Sequence, residues 1–140
     1  MKLYVDKNLD INENKLKYLS EFCAFCAKEL PIEGTYSIYV VTDRPKHGIV
    51  TTALYEVGNN TCRIYGKGRA LPDVMRSIAH EMTHMMQDQQ GLLTGHIQDA
   101  GGFHEDQANA RAGELLKRYA KSSKERKSIY ESLRSKKNIL

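Results

Sequence analysis

Five consecutive residues, His80-Glu81-Met82-Thr83-His84, constrain this chain more than any other feature, because their side chains share a purpose only on an α-helix. A helix advances about 100° per residue, so histidines at i and i+4 stand roughly 40° apart on one face, one turn above the other. Two imidazole nitrogens can then reach one ion. Glu81 points off that face by too much to join them easily, yet stays near enough to touch a water beside the ion, where a general base belongs.

The surrounding sequence predicts that helix. The run from Pro72 to Gln89 has no internal breaker, Pro72 suits a first helical turn, and Gly91 suits a C-terminal stop. On a helical wheel Val74, Met75, Ile78, Ala79, Met82, Met85 and Met86 form one apolar arc, with His80 and His84 nearly opposite. The helix is expected to have a core side and a metal side. The plainer reading makes the histidines solvent-facing residues of an amphipathic helix.

A zinc site needs a third protein ligand, with the fourth position open to water if the site is catalytic. His96, Asp99, His104 and Glu105 are the candidates that follow His84. From His104 to Tyr119 the chain reads as a second helix, on which Glu105, Ala108, Asn109, Ala112, Leu116 and Tyr119 share one side. A carboxylate on a face that packs against the core is costly unless it is paired or bound to a metal, which favours Glu105. Asn109, one turn on, can hydrogen-bond a ligand.

His80-Glu81-x-x-His84, about twenty residues, then Glu105-x-x-Ala108-Asn109 resembles the pattern of the gluzincins, the zinc peptidases that include thermolysin. In that pattern the third ligand is a glutamate on a following helix, and the last residue of the second motif orients the first ligand histidine. The resemblance implies that role for Asn109. The wider stretches, from Arg69 to Gln87 and from Gly101 to Leu116, are similar to small single-domain peptidase-like proteins common in tailed-phage genomes. They cover less than half the chain. The resemblance implies an α+β, zincin-like domain with one Zn2+, and metal-assisted hydrolysis of a peptide or protein, with Glu81 moving the proton of the attacking water.

Rival patterns fit less well. The metzincin extension needs glycine at position 87 and histidine at position 90, and both positions hold glutamine. An aspartate-ligand site through Asp99 stays open. Cobalt or manganese would also suit a His/His/Glu set, with zinc favoured by geometry and availability. Thermolysin-like enzymes draw oxyanion donors from a later domain for which this chain has no room. That leaves Tyr55, Tyr65, His96, His104 and Arg111 as unranked candidates. Two further readings keep the metal: a non-catalytic structural or binding protein, marked by a fourth protein ligand, and a nucleic-acid-associated protease.

At 140 residues, 41% apolar and 27% charged, the chain suits one domain, and no apolar run is long enough for a membrane span. Met1 to Asp6 lack the features of a signal peptide, so a cytoplasm is expected, that of a bacterial host if the resemblance to phage proteins holds. Cys23 and Cys26 fall with Leu16, Leu19 and Leu30 on a predicted buried helical stripe, and Cys62 in a probable strand, so all three read as structural. Lys2 to Val5 is a predicted strand, and Asp10-x-x-Glu13 a predicted capping box for a helix ending near Glu29. Tyr36 to Thr42, Ile49 to Val57 and Thr61 to Tyr65 read as strands, with a hairpin turn at Gly58-Asn59-Asn60. The strand from Ile49 to Val57, or its hairpin partner, is the candidate edge on which an extended peptide would add.

Ser122-x-x-Glu125 is expected to cap a last helix over about 122–137, docked by Ile129, Tyr130 and Leu133. Residues 117–140 hold nine Lys or Arg against two Glu, a net of +7 in a chain of +4, so residues 1–116 sum to −3. Such an end can meet nucleic acid, but no aromatic interleaving accompanies it, and a solvated helix with a frayed basic tail is the favoured reading. Oligomeric state is not legible.

Overall fold

The chain opens with a strand, β1 (Lys2–Val5), and its next apolar stripe folds as the helix α1 (Glu13–Glu29). The Asn12 side chain caps α1 by accepting from the Lys15 N–H at 2.8 Å, a role the sequence assigned to Asp10. Asp10 serves through its backbone instead, its carbonyl accepting from Lys15 Nζ at 2.8 Å. The buried stripe is also rotated from expectation. Leu16 is exposed, whereas Lys15, Tyr18, Leu19, Phe22, Cys23 and Cys26 are buried. A buried lysine is tolerated here because the carbonyls of Asp10 and Ile139 satisfy its ammonium group.

Three more strands complete the sheet: β2 (Ser37–Val41), β3 (Ala53–Glu56) and β4 (Thr61–Tyr65). In the computed structural model, which describes residues 1–93, 102–131 and 135–140, their order is β1-β2-β4-β3. β1 and β4 run parallel to β2, and β3 is antiparallel to β4. The class is α+β with a mixed sheet. Period-2 alternation sends Ile38, Val40, Cys62, Ile64 and Tyr55 to the core, and leaves Tyr4, Tyr39, Arg63 and Tyr65 on the outer face.

The hairpin turn lies where expected, with Gly58 at φ 88° and Asn60 at φ 47°, conformations that glycine and asparagine tolerate best. β3 is shorter than the predicted Ile49 to Val57. β4 ends at Tyr65, whose N–H bonds Thr52 O, and the chain then turns away, so residues 49–51 have no strand beside them among the described residues.

The helices α2 (Leu71–Gln89) and α3 (Phe103–Lys121) follow, then α4 (Lys124–Glu131). Met75, Ile78, Met82 and Met85 of α2 are buried, each worth about 1.5–3 kcal/mol, and lie in one continuous core with α1, the sheet and α3. Met86 is partly buried at its margin. Ser123, not Ser122, caps α4 by accepting from Arg126 N. Ser122 bonds the Tyr119 carbonyl and the Arg126 side chain.

The last helix is shorter than the expected 122–137. Ile129 and Tyr130 pack on the core, Leu133 lies outside the described residues, and Lys136–Asn138 form a 3-10 turn. The frayed tail is corrected too. Ile139 bridges Ala70, Leu140 N donates to Arg69 O, and Leu140 is 6% exposed, because the chain passes back over the start of α2. No helix among the described residues is long and apolar enough to cross a membrane.

Candidate metal centre

Helices α2 and α3 form the most extensive helix packing among the described residues and run antiparallel. Gln87, late in α2, bonds His104 and Gln107 at the start of α3, while Arg76, early in α2, lies beside Gly113 farther along. Small residues set their separation. Ala108 and Ala112 are buried between the helices, which lets the axes approach and brings the Glu105 carboxylate to the histidines. Glu105 occupies the first turn of α3, where the helix dipole favours an anion.

The convergence is tight. His80 Nε2 lies 2.6 Å from Glu105 Oε1, and His84 Nε2 lies 3.1 Å from Glu105 Oε2. One donor atom from each of the three residues falls within 4.8 Å of the others, and no other such group of His, Cys, Asp or Glu occurs among the described residues. Glu81 stands off, its Oε1 3.9 Å from His80 Nε2, and is 8% exposed. Burial, then the charge of Glu105, pushes the Glu81 carboxyl up to about 8. Burial also lowers the His80 ring, against opposing pulls from Glu105 and from a hydrogen bond with the Asn109 side chain. Asn109 is exposed at the cleft rather than buried as its helix face predicted, yet it reaches the first histidine.

Gln87 decides how His84 is protonated. Its Nε2 donates to the His104 carbonyl at 2.9 Å and to Gln107 Oε1 at 2.8 Å, so its Oε1 is the atom facing His84 Nδ1 at 2.8 Å. An oxygen there requires a proton on Nδ1. The neutral ring then presents a bare lone pair at Nε2 toward a carboxylate oxygen, an arrangement that repels unless a cation, proton or metal ion, lies between them. His80, His84 and Glu105 fit a divalent metal on this ground.

The site opens into a cleft of about 910 Å³. One wall is β3, the edge strand of the sheet, with the segment from Val50 to Thr52 that precedes it. The other is built by Arg76, Ser77, His80, Glu81 and His84 of α2 with Glu105, Asn109 and Ala112 of α3.

Other candidates fall elsewhere. His96 and Asp99 lie outside the described residues. Tyr65 is on the outer face of the sheet beneath the Arg44 guanidinium, and Arg111 pairs with Glu114 and reaches the Glu29 carbonyl on α1, so neither enters the cleft. Among the described residues, the His104 ring does not line the cleft and its buried Nδ1 has no hydrogen-bond partner. Tyr55 does line it, but its hydroxyl donates to Asp88 Oδ2 at 2.5 Å, which with the Asp88–Gly58 N–H bond ties the hairpin to α2. Gln87 and Arg76 were not singled out in the sequence. The i+3 spacing of Gln87 from His84 was the available signal. Cys23, Cys26 and Cys62 are free and fully buried, with the Cys23 thiol pushed up to about 12 by desolvation, as structural cysteines should be.

No family model, curated protein or solved structure matches this chain.

Proposed function

We propose that this protein is a zinc metallopeptidase of the gluzincin type on a minimal zincin-like fold. The observation that carries the reading is the convergence of His80, His84 and Glu105 around a position that needs a cation, with the non-ligand carboxylate Glu81 beside it and an open cleft in front. A zinc ion held by these three residues supplies Lewis acidity toward a carbonyl and acidifies water.

The rest is done by side chains. Glu81 accepts the proton of the attacking water and passes it to the leaving amine. Its burial suits both halves of that task, because a carboxyl with little hydration gives up and takes back a proton with small reorganisation. Gln87 holds His84 in the tautomer that leaves Nε2 free, and Asn109 orients His80. The exposed edge of β3 offers backbone hydrogen bonds to an extended peptide.

Digestion of a peptide library by the zinc-loaded protein and by Glu81→Gln tests this function. Because positioned proton transfer contributes about 10² to 10⁴-fold, cleavage falls at least about a hundredfold in the variant while zinc content holds. Equal cleavage by both proteins, or none by either with zinc bound, contradicts it. The structural-zinc alternative requires a fourth protein ligand, and the described residues supply three.

A further inference from the structure

Arg76 lies on α2 one turn before His80, and among the described residues it is the sole lysine or arginine lining the cleft. It makes no hydrogen bond or ion pair among the described residues, and its guanidinium extends over α3 beside Gly113, where a Cβ would stand 3.5 Å from Nη1. Arg69, seven residues earlier, shows the contrast. That guanidinium is held by Tyr65 O, Asp73 O and Ser77 Oγ. One arginine is part of the framework, and the other has no polar partner among the described residues at the wall of the cleft.

From this juxtaposition we propose that Arg76 is a specificity-determining residue that binds a carboxylate of the substrate. This rests on the peptidase reading and deepens it. A guanidinium is a planar fork that suits a carboxylate bidentately, and no other lysine or arginine among the described residues lines the cleft to compete for that anion. One helical turn separates Arg76 from His80, about 6 Å along the axis, and an arginine side chain adds reach of its own. An extended peptide advances about 3.3–3.6 Å per residue, so the carboxylate lies one or two residues from the scissile bond. At that distance it is either the C-terminal carboxylate, which makes the protein a carboxypeptidase releasing one or two residues, or an acidic side chain beside the cleaved bond.

The test uses the zinc-loaded Glu81→Gln protein as a non-cleaving trap and measures binding by calorimetry. The probes are a short alanine–leucine peptide as free acid, the same peptide as its C-terminal amide, and the amide with glutamate as its last residue. The free acid, the glutamate amide or both bind about 10 to 100-fold tighter than the plain amide, and which of them does so identifies the source of the carboxylate. Adding Arg76→Gln brings that ratio to about one, and Arg76→Lys retains part of it. Equal binding of all three probes overturns the role of Arg76 and leaves the peptidase reading standing, provided the wild type cleaves the plain amide. Absence of binding by every probe together with absence of cleavage overturns both.

Discussion

Two polar clusters in this molecule both hold histidine and glutamate and differ in their balance of charge. On the outer face of the sheet, Arg63 pairs with Glu56, lies 3.0 Å from His47 Nδ1 through its guanidinium, and covers the Tyr39 ring, which in turn stacks on Tyr4. Each charge there has its opposite. Between α2 and α3, two histidines and two carboxylates, Glu81 and Glu105, gather with no lysine or arginine among them in the described residues. The first cluster is balanced as built, and the second gathers three groups that could hold one cation between them. A shared inventory of His and Glu therefore says little about function. The balance of charge within the cluster says more.

That contrast can be broken by substitution. Replacing His80, His84 or Glu105 by Ala removes one of the three proposed ligands and should strip most of the zinc, measured by elemental analysis of the purified protein. The thermal stabilisation that added zinc confers, about 2.7 kcal/mol at a hundredfold excess over the dissociation constant, should vanish with it. Gln87→Ala frees His84 to adopt either tautomer and should weaken zinc binding by about 10 to 100-fold, read by competition with a chelating dye. Asn109→Ala should give a smaller loss within that range, because Asn109 is exposed whereas Gln87 is fully buried and makes three hydrogen bonds. An Asn109 loss exceeding that of Gln87 would reverse the assignment of which histidine depends more on its support.

The outer cluster should respond least. Glu56→Gln should leave zinc content unchanged and cost about 1 kcal/mol or less in denaturant unfolding, as a partly exposed ion pair does. Its pH signature is also specific. The Arg63 hydrogen bond holds the Glu56 carboxyl below the usual carboxylate range, so its contribution to stability is full above that range and lost as pH falls through the lowered value. The variant should lack that part of the acid-side decline.

Much of this arrangement was legible in the chain because the signals are local. The i, i+4 histidines, the unbroken run from Pro72 to Gln89, and the glutamate on the packed face of the next helix are patterns of spacing, and they predicted α2, α3 and the three converging residues. The hairpin turn was legible for the same reason. What was missed depends on partners far along the chain. Lys15 is buried because the Ile139 carbonyl comes to it, which moves the α1 stripe and leaves Leu16 exposed. β3 stops where β4 leaves it, a matter of pairing that β-branched composition does not encode. Gln87 matters only because α3 brings the His104 carbonyl to its amide, and Arg76 is notable only for the partners it lacks among the described residues. A cap is chosen by geometry among neighbouring candidates, and Asn12 and Ser123 prevailed over Asp10 and Ser122 for that reason.

The central claim is that the α2–α3 cluster is incomplete without a metal. Zinc titration of the metal-stripped protein, followed by calorimetry, tests it most directly. The account predicts one zinc per chain, with binding that releases protons from the cluster and raises the melting temperature. Absence of saturable zinc binding in the folded wild-type protein, or binding that survives Glu105→Ala and His84→Ala unchanged, would contradict it.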